Sequence, residues 1–334
     1  MSSSIHPLEI GVVIQGPIQS RGRTLTNLVH KNYDATNDIR SMLNEAFQAG
    51  IKPIVVTWDN QDLAAFTSHE RKFIKCIPFY TPTLTQKLRN NWNKNSKYRQ
   101  YYSTLYGVDH LIGQGCVYVI KVRTDNYISL LNLIKFILNL TTNEAKNYFY
   151  TPLINLDKPH MFYDFYSFSS AIKLQDLCKV ILFQKEINSN IHFDVFFRWT
   201  KYSINQKVKL RDLIYVYPKY PRFTLAQLKI IRLGLEKVFR PLPKEIWSTL
   251  TWRGEQFGTN GMKNDYRFAE QNMSEILQEF DGFTYKVSRF FSVDMPAIFS
   301  FFISSRTEDM IRHVIKLNRS LLRRLLKLFR KSKL

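Results

Sequence analysis

The segment CVYVIKVRTDNYISL, Cys116 to Leu130, sets a carboxylate at Asp125 where a run of apolar and β-branched residues stops. A carboxylate at the end of a buried strand, beside a cation and beneath a crevice, suits a divalent metal. Mg2+ and Mn2+ take one or two carboxylates and leave substrate phosphates to complete the shell. The same residue also suits a helix cap, since TDNYISLLNLIKF has the pattern of a capped helix start. Lys121 and Arg123 alternate with Val122, so in a strand both project to one side. There they either complement a diphosphate or lie along a solvated edge.

Two further polar tips follow apolar runs. Gln15-Gly16-Pro17 ends EIGVVIQ and is either a backbone surface for a base or ribose or an ordinary turn. Asp59 ends KPIVVTW, where Trp58 offers a packing surface and Asp59 either a hydroxyl contact or an Asx turn. The chain carries no GxGxxG, GxxxxGK[ST], HExxH or GxSxG pattern, which removes the common dinucleotide, P-loop, zinc-protease and hydrolase signatures. The histidines are scattered. His192 and Asp194 flank Phe193 in IHFDVFF, where a period of two predicts a solvent-facing pair on a strand.

These residues need elements to position them. Glu9 to Gln15, Lys52 to Trp58, Lys72 to Phe79 and Val117 to Val122 read as strands. Between the first two, Leu25, Leu28, Val29, Ile39, Leu43, Ala46 and Phe47 predict a helical stretch, broken near Asn32 to Asn37 and ended by Gly50. Ser96 to Ile112 places Tyr98, Tyr101, Tyr102, Leu105, Val108, Leu111 and Ile112 on one helical face. Strands alternating with helices predict an α/β layer with a mostly parallel sheet, and VYVIKV is the unbroken apolar run that a doubly covered strand needs. Ligands of such sheets bind beyond the carboxyl ends of the strands, where Gly16, Asp59 and Asp125 all fall.

The second half is less regular. DVFFRW and DLIYVYP read as strands or short buried segments, and Asp157 to Phe168 as an aromatic loop. With 334 residues, 45% hydrophobic, the chain can bury a large core. A formal charge of +21 calls for an anionic partner, whether nucleic acid, phosphorylated small molecules or an acidic membrane face. Three separated cysteines without a CxxC pair fit a reducing cytosol. The start lacks the basic and apolar regions of an export signal, and the longest apolar stretches are interrupted by Lys135 and Asp294. From Ile311 to Leu334 there are nine Lys/Arg and no acid, on the spacing of a basic amphipathic helix.

VVIQGPI, IVVTWDN, YRQYYSTLYGVDHL and YVIKVRTDN, in that order and spacing, resemble the WavE-type lipopolysaccharide-synthesis proteins, a bacterial family read as glycosyltransferases. MFYDFYSF and RGEQF extend the resemblance. It implies a GT-A-like nucleotide-sugar-binding fold in residues 1–305, with a nucleotide-sugar half (1–150) and an acceptor half (151–305), ahead of the basic tail at 306–334. Arg-Thr-Asp would take the place of a DxD motif, with Asp125 reaching a Mn2+ or Mg2+ ion and the donor diphosphate. One acid stands where DxD has two, so Lys121 and Arg123 are the alternative neutralising groups. Gln15, Gly16, Pro17 and Asp59 would line the nucleotide site, with Arg99 and Gln100 on the helix leading to it.

An inverting transfer needs a base for the acceptor hydroxyl, and Asp164, among aromatic residues, and Glu255, in a Gly-flanked loop, are the candidates. The implied partners are a nucleotide sugar, a saccharide or lipid-linked saccharide acceptor of the lipopolysaccharide core or another surface polysaccharide, and an anionic membrane. The tail would hold the enzyme on the cytoplasmic face of the inner membrane. The competing expectation is a basic nucleic-acid-binding protein, suggested by the charge and 18 tyrosines. It lacks any recognisable binding motif, so no specific nucleic acid is expected.

Overall fold

The computed structural model describes residues 5–23, 30–79, 96–152, 164–183, 191–204 and 225–256. The basic tail, the DLIYVYP segment and His192 and Asp194 side chains lie outside the described residues. Strand β1 (Ile10–Gln15) is buried at every position, the pattern of a central strand covered on both faces. Gln15-Gly16-Pro17 turns the chain into an antiparallel ribbon, β2 (Gln19–Arg23) and β3 (His30–Asp34). Helix α1 (Thr36–Gln48) follows, burying Ile39, Met42, Leu43 and Ala46 at helical spacing. The helix expected from Leu25 onward therefore begins only at Thr36: residues 30–34 are strand, and 24–29 lie outside the described residues.

Strand β4 (Lys52–Trp58) pairs parallel with β1. Beyond it come the short helix α2 (Ser68–Arg71), closed by a Thr67–Glu70 capping box, and β5 (Ile74–Ile77), parallel to β4. Helix α3 (Ser96–Gly113) lies across β1 and β4, with Tyr98, Tyr101, Val108 and Leu111 buried. It packs closely because Gly107 carries no side chain: a Cβ there would sit 2.6 Å from Val13 Cγ1. Strand β6 (Tyr118–Arg123) then pairs parallel with β1 on its other side.

After β6 the two-residue strand β7 (Asn126–Tyr127) leads into α4 (Leu130–Leu138). Ser129 is its N-cap, accepting from Asn132 N, so Asp125 is not the helix cap. Glu45 of α1 also accepts from Leu131 N at 3.1 Å and from the Tyr127 hydroxyl at 2.6 Å, binding that helix start to the layer. There follow α5 (Thr142–Asn147), β8 (Phe149–Thr151), β9 (Tyr166–Ser170), α6 (Ala171–Phe183), α7 (Ile191–Ser203), α8 (Leu225–Lys237), β10 (Phe239–Pro241), α9 (Lys244–Trp247), β11 (Thr251–Trp252) and β12 (Glu255–Gln256).

DVFFRW, expected to be extended, is helical in α7. A continuous apolar run fits either period, and here thirteen residues wind so that Phe196 stacks on Phe239 at 4.8 Å. His192 and Asp194 consequently do not form a period-two pair on a strand.

Among the described residues the main sheet has seven strands in the order β10-β8-β9-β6-β1-β4-β5, with β9 alone running against the others. The fold is mixed α/β with a mostly parallel central sheet, as the alternation of strands and helices predicts. The chain lays down β1, β4 and β5 to one side, then crosses back to place β6 on the other. The order reverses between β1 and β6, and at such a switch point the loops leaving adjacent strands part and open a crevice. Among the described residues no helix is long and apolar enough to cross a membrane.

Candidate functional site

The carboxyl ends of β1 and β6 are sewn together at the switch point. Thr124 N donates to Gln15 O at 2.9 Å, and the Thr124 hydroxyl donates to Pro17 O at 2.7 Å. Gly16 has a φ of +130°, and a Cβ there would lie 2.6 Å from Thr124 Oγ1. The glycine is thus required both by backbone conformation and by close approach. Gln15 is buried, and its Oε1 accepts from the Ser103 hydroxyl of α3 at 2.9 Å.

One turn earlier on α3, Arg99 lays its guanidinium over the Phe79 ring, 4.9 Å from the centroid. Phe79 stands edge-on to Trp58 at 5.7 Å, and its backbone N–H donates to Asp59 Oδ1 at 3.1 Å. Gln15, Arg99 and Asp59, expected from sequence to line one site, therefore stand on neighbouring walls at the strand ends. Asp59 does so with its carboxylate bonded to the backbone of Phe79, just past the neighbouring strand β5.

The charged centre lies beside them. Lys121 and Arg123 do project to one side of β6, and both meet Asp164 just ahead of β9. Lys121 Nζ donates to the Asp164 carbonyl, and Arg123 Nη1 stands 3.4 Å from Asp164 Oδ1. Arg123 also grips Asp125 with both arms, Nε to Oδ1 at 2.9 Å and Nη2 to Oδ2 at 2.8 Å. Oδ2 of Asp125 receives two more donors from the β11–β12 hairpin, Trp252 Nε1 at 3.0 Å and Arg253 Nε at 3.2 Å. The hairpin reaches this point because β11 pairs antiparallel with β7, immediately after Asp125, and Arg253 N donates to Asp125 O at 2.9 Å.

Electrostatics follow from this crowding. Burial works against charge on Asp125, but Arg123, Trp252 and Arg253 outweigh it and hold the carboxyl below its ordinary range. Burial likewise opposes a charged Arg123, yet Asp125 and Asp164 more than compensate and hold it protonated. Lys121 is the exception: burial pushes it from 10.5 down to about 8, with Asp164 pulling the other way and Arg123 adding to the fall. Asp164 has a cationic neighbour rather than the purely apolar surround that its aromatic sequence context suggests. Phe165 and Phe168 are core residues.

The donor set around Asp125 does not fit a divalent cation. Both of its oxygens are committed to cationic or N–H donors, and its nearest charged neighbours are guanidinium groups, which repel a metal. Among the described residues no group of three or more His, Cys, Asp or Glu side chains is arranged to hold one. Among the described residues, three basic groups, Lys121, Arg123 and Arg253, meet two acids here, Asp125 and Asp164. Such a centre suits an anion.

Residues 10–157 match the family model for WavE lipopolysaccharide synthesis. The WavE match points to a part in lipopolysaccharide synthesis. It spans β1 through β8 and so includes Gln15, Gly16, Pro17, Asp59, Arg99, Lys121, Arg123 and Asp125. Asp164, Trp252, Arg253 and Glu255 lie beyond the WavE-matching segment. No curated protein matches the chain.

Glu255, singled out in sequence as a base, is in β12, paired with Trp252 in register. It belongs to a tight hairpin rather than an open loop. The residues of that segment that meet the centre are Trp252 and Arg253, which sequence reasoning missed. Only Gly254 in TWRGEQ hinted at a turn; two-residue strands and an arginine at the first turn position carry no hairpin signal. Thr124 and Ser103, the polar residues that tie β1 to β6 and to α3, carry no sequence signal of their own.

Proposed function

We propose that the protein is a glycosyltransferase of lipopolysaccharide or related surface-polysaccharide synthesis, taking its sugar from a nucleotide-sugar donor. The observation that carries this is the cationic centre at the β1–β6 switch point, the place where a parallel sheet of this kind takes its ligand. The mostly parallel sheet with helices on both sides supports a GT-A-like description of the fold.

In the transfer, the bond between the sugar's anomeric carbon and the terminal phosphate oxygen breaks, and a bond to the acceptor hydroxyl oxygen forms. The hydroxyl proton passes to a carboxylate, Asp164 or Glu255, and the nucleoside diphosphate leaves. Arg123 and Lys121 stabilise the charge that collects on the leaving diphosphate, which places it beside Gln15, Gly16 and Pro17. Arg99 and the Trp58–Asp59 end of β4 bound the base and ribose. Asp125 orients the arginines, so the diphosphate is neutralised by protein cations and Mn2+ or Mg2+ adds little. The acceptor, a saccharide or lipid-linked saccharide, approaches from the Asp164 side. The basic tail holds the enzyme to the anionic cytoplasmic face of the inner membrane, where such acceptors are found.

The test is ligand-induced thermal stabilisation against a panel of nucleoside diphosphates and nucleotide sugars, each with and without Mn2+. Binding to the native state alone raises the Tm by mass action, about 2.7 kcal/mol of added stability at one hundred times Kd. A shift with one base class, little changed by Mn2+, is expected. A folded protein that responds to no nucleotide overturns the proposal.

A further inference from the structure

Arg253 occupies a position that costs stability. It has a φ of +52°, and with Gly254 at +75° it forms the two-residue turn of the β11–β12 hairpin. Positive φ at both central residues is the requirement of a type I′ turn, where Asn-Gly is the favoured pair. A long side chain in that left-handed region is strained, because its Cβ crowds the following carbonyl. Local turn chemistry therefore argues against arginine here, and something else retains it.

Its surroundings are built to receive it. The guanidinium lies against Gly22 of β2, where a Cβ would come within 1.7 Å of Arg253 Nη1. It also lies 5.2 Å from the Trp252 ring centroid. Through Nε it touches Asp125 Oδ2, but there it is the longest of three contacts on one oxygen, at 3.2 Å against 2.8 Å for Arg123 and 3.0 Å for Trp252. A carboxylate oxygen offers two lone pairs, so the third donor is the one most readily exchanged. Asp125 remains held by Arg123 and Trp252 if Arg253 turns elsewhere.

We propose that Arg253 is a further diphosphate-binding residue of this site, beside Arg123 and Lys121. It rests on Asp125 and passes its guanidinium to a phosphate oxygen of the ligand, so that the β11–β12 hairpin closes the site over the anion. The inference deepens the transferase proposal and rests on it for the identity of the ligand, but the chemistry requires only a diphosphate.

The experiment compares wild type, Arg253→Asn, Arg253→Lys and Gly22→Ala by calorimetric titration with inorganic pyrophosphate and with the nucleoside diphosphate panel, alongside urea denaturation. Asn is the better turn residue, so Arg253→Asn is expected to keep or raise stability while weakening pyrophosphate binding at least tenfold. Lys is expected to restore part of that binding, and Gly22→Ala to weaken it by displacing the guanidinium. If the Asn variant binds pyrophosphate and nucleoside diphosphates as tightly as wild type, the role of Arg253 is overturned and the transferase proposal stands. Arginine-dependent binding of pyrophosphate without any nucleoside diphosphate supports the anion site and overturns the donor assignment. Wild-type protein that binds neither overturns both.

Discussion

Replacing Asp125 by Asn separates two roles for one carboxylate. A metal ligand can be neutralised in metal-free buffer with little loss of stability, or with a gain. An ion-pair hub cannot, because Arg123 and Arg253 would then face a neutral amide in a site where Asp125 is only 6% exposed. Asp125→Asn is therefore expected to lose about 3–5 kcal/mol in urea denaturation without metal. Unchanged stability would return Asp125 to the role of a ligand. Lys121 makes a second prediction, about pH. The unfolded chain keeps its lysine proton up to about 10.5, whereas the fold releases it near 8. Between those values the unfolded state binds more protons, so this residue makes stability rise with pH, by on the order of 3 kcal/mol in total. Lys121→Met is expected to flatten that rise, read as the difference between wild-type and variant denaturation midpoints at pH 7.5, 9 and 10.

At the scale of elements, the site depends on α3 staying close to β1 and β4, because α3 carries Arg99 and Ser103. Gly107 sets that distance. Gly107→Ala would press a methyl group onto Val13 and Val56 and is expected to cost about 1–3 kcal/mol. It should also weaken nucleotide binding through Ser103 and Gln15, measured by the same titrations; a stable variant with intact affinity would show that helix and site are not coupled. Strands β1, β4, β5 and β6 and helix α3 were legible in sequence because each carries its own periodicity and stop signals. The β2–β3 ribbon was not, since polar QSRGR and HKNYD lack the alternation of a half-buried strand. The length of α7 defeated the strand expectation for DVFFRW, whose apolar run has no distinguishing period.

For the whole molecule, the charge of +21 and the nine basic residues after Ile311 predict an electrostatic partnership with anionic lipid. Full-length protein is expected to sediment with vesicles containing anionic phospholipid and not with neutral ones, to be released as ionic strength rises, and to lose binding when truncated before Asp309. Nucleoside diphosphate binding should survive the truncation, because the switch-point residues from Gln15 to Arg253 all precede it. Equal vesicle binding by the truncated chain would place the membrane contact elsewhere.

What the sequence determined by itself is the parallel-sheet framework and the line of polar residues at its carboxyl end. Apolar periodicity and Gly, Pro and Asp stop signals act over a few residues and can be read from a few residues. Only the tertiary structure decided what Asp125 touches. Its partners Trp252 and Arg253 lie 127 and 128 residues away. They arrive through a pairing between two-residue strands, β7 and β11, too short to leave a pattern. In a carboxylate–arginine pair the acid is open to a metal and the arginine to a diphosphate; a carboxylate between two arginines and an indole N–H is a hub for cations.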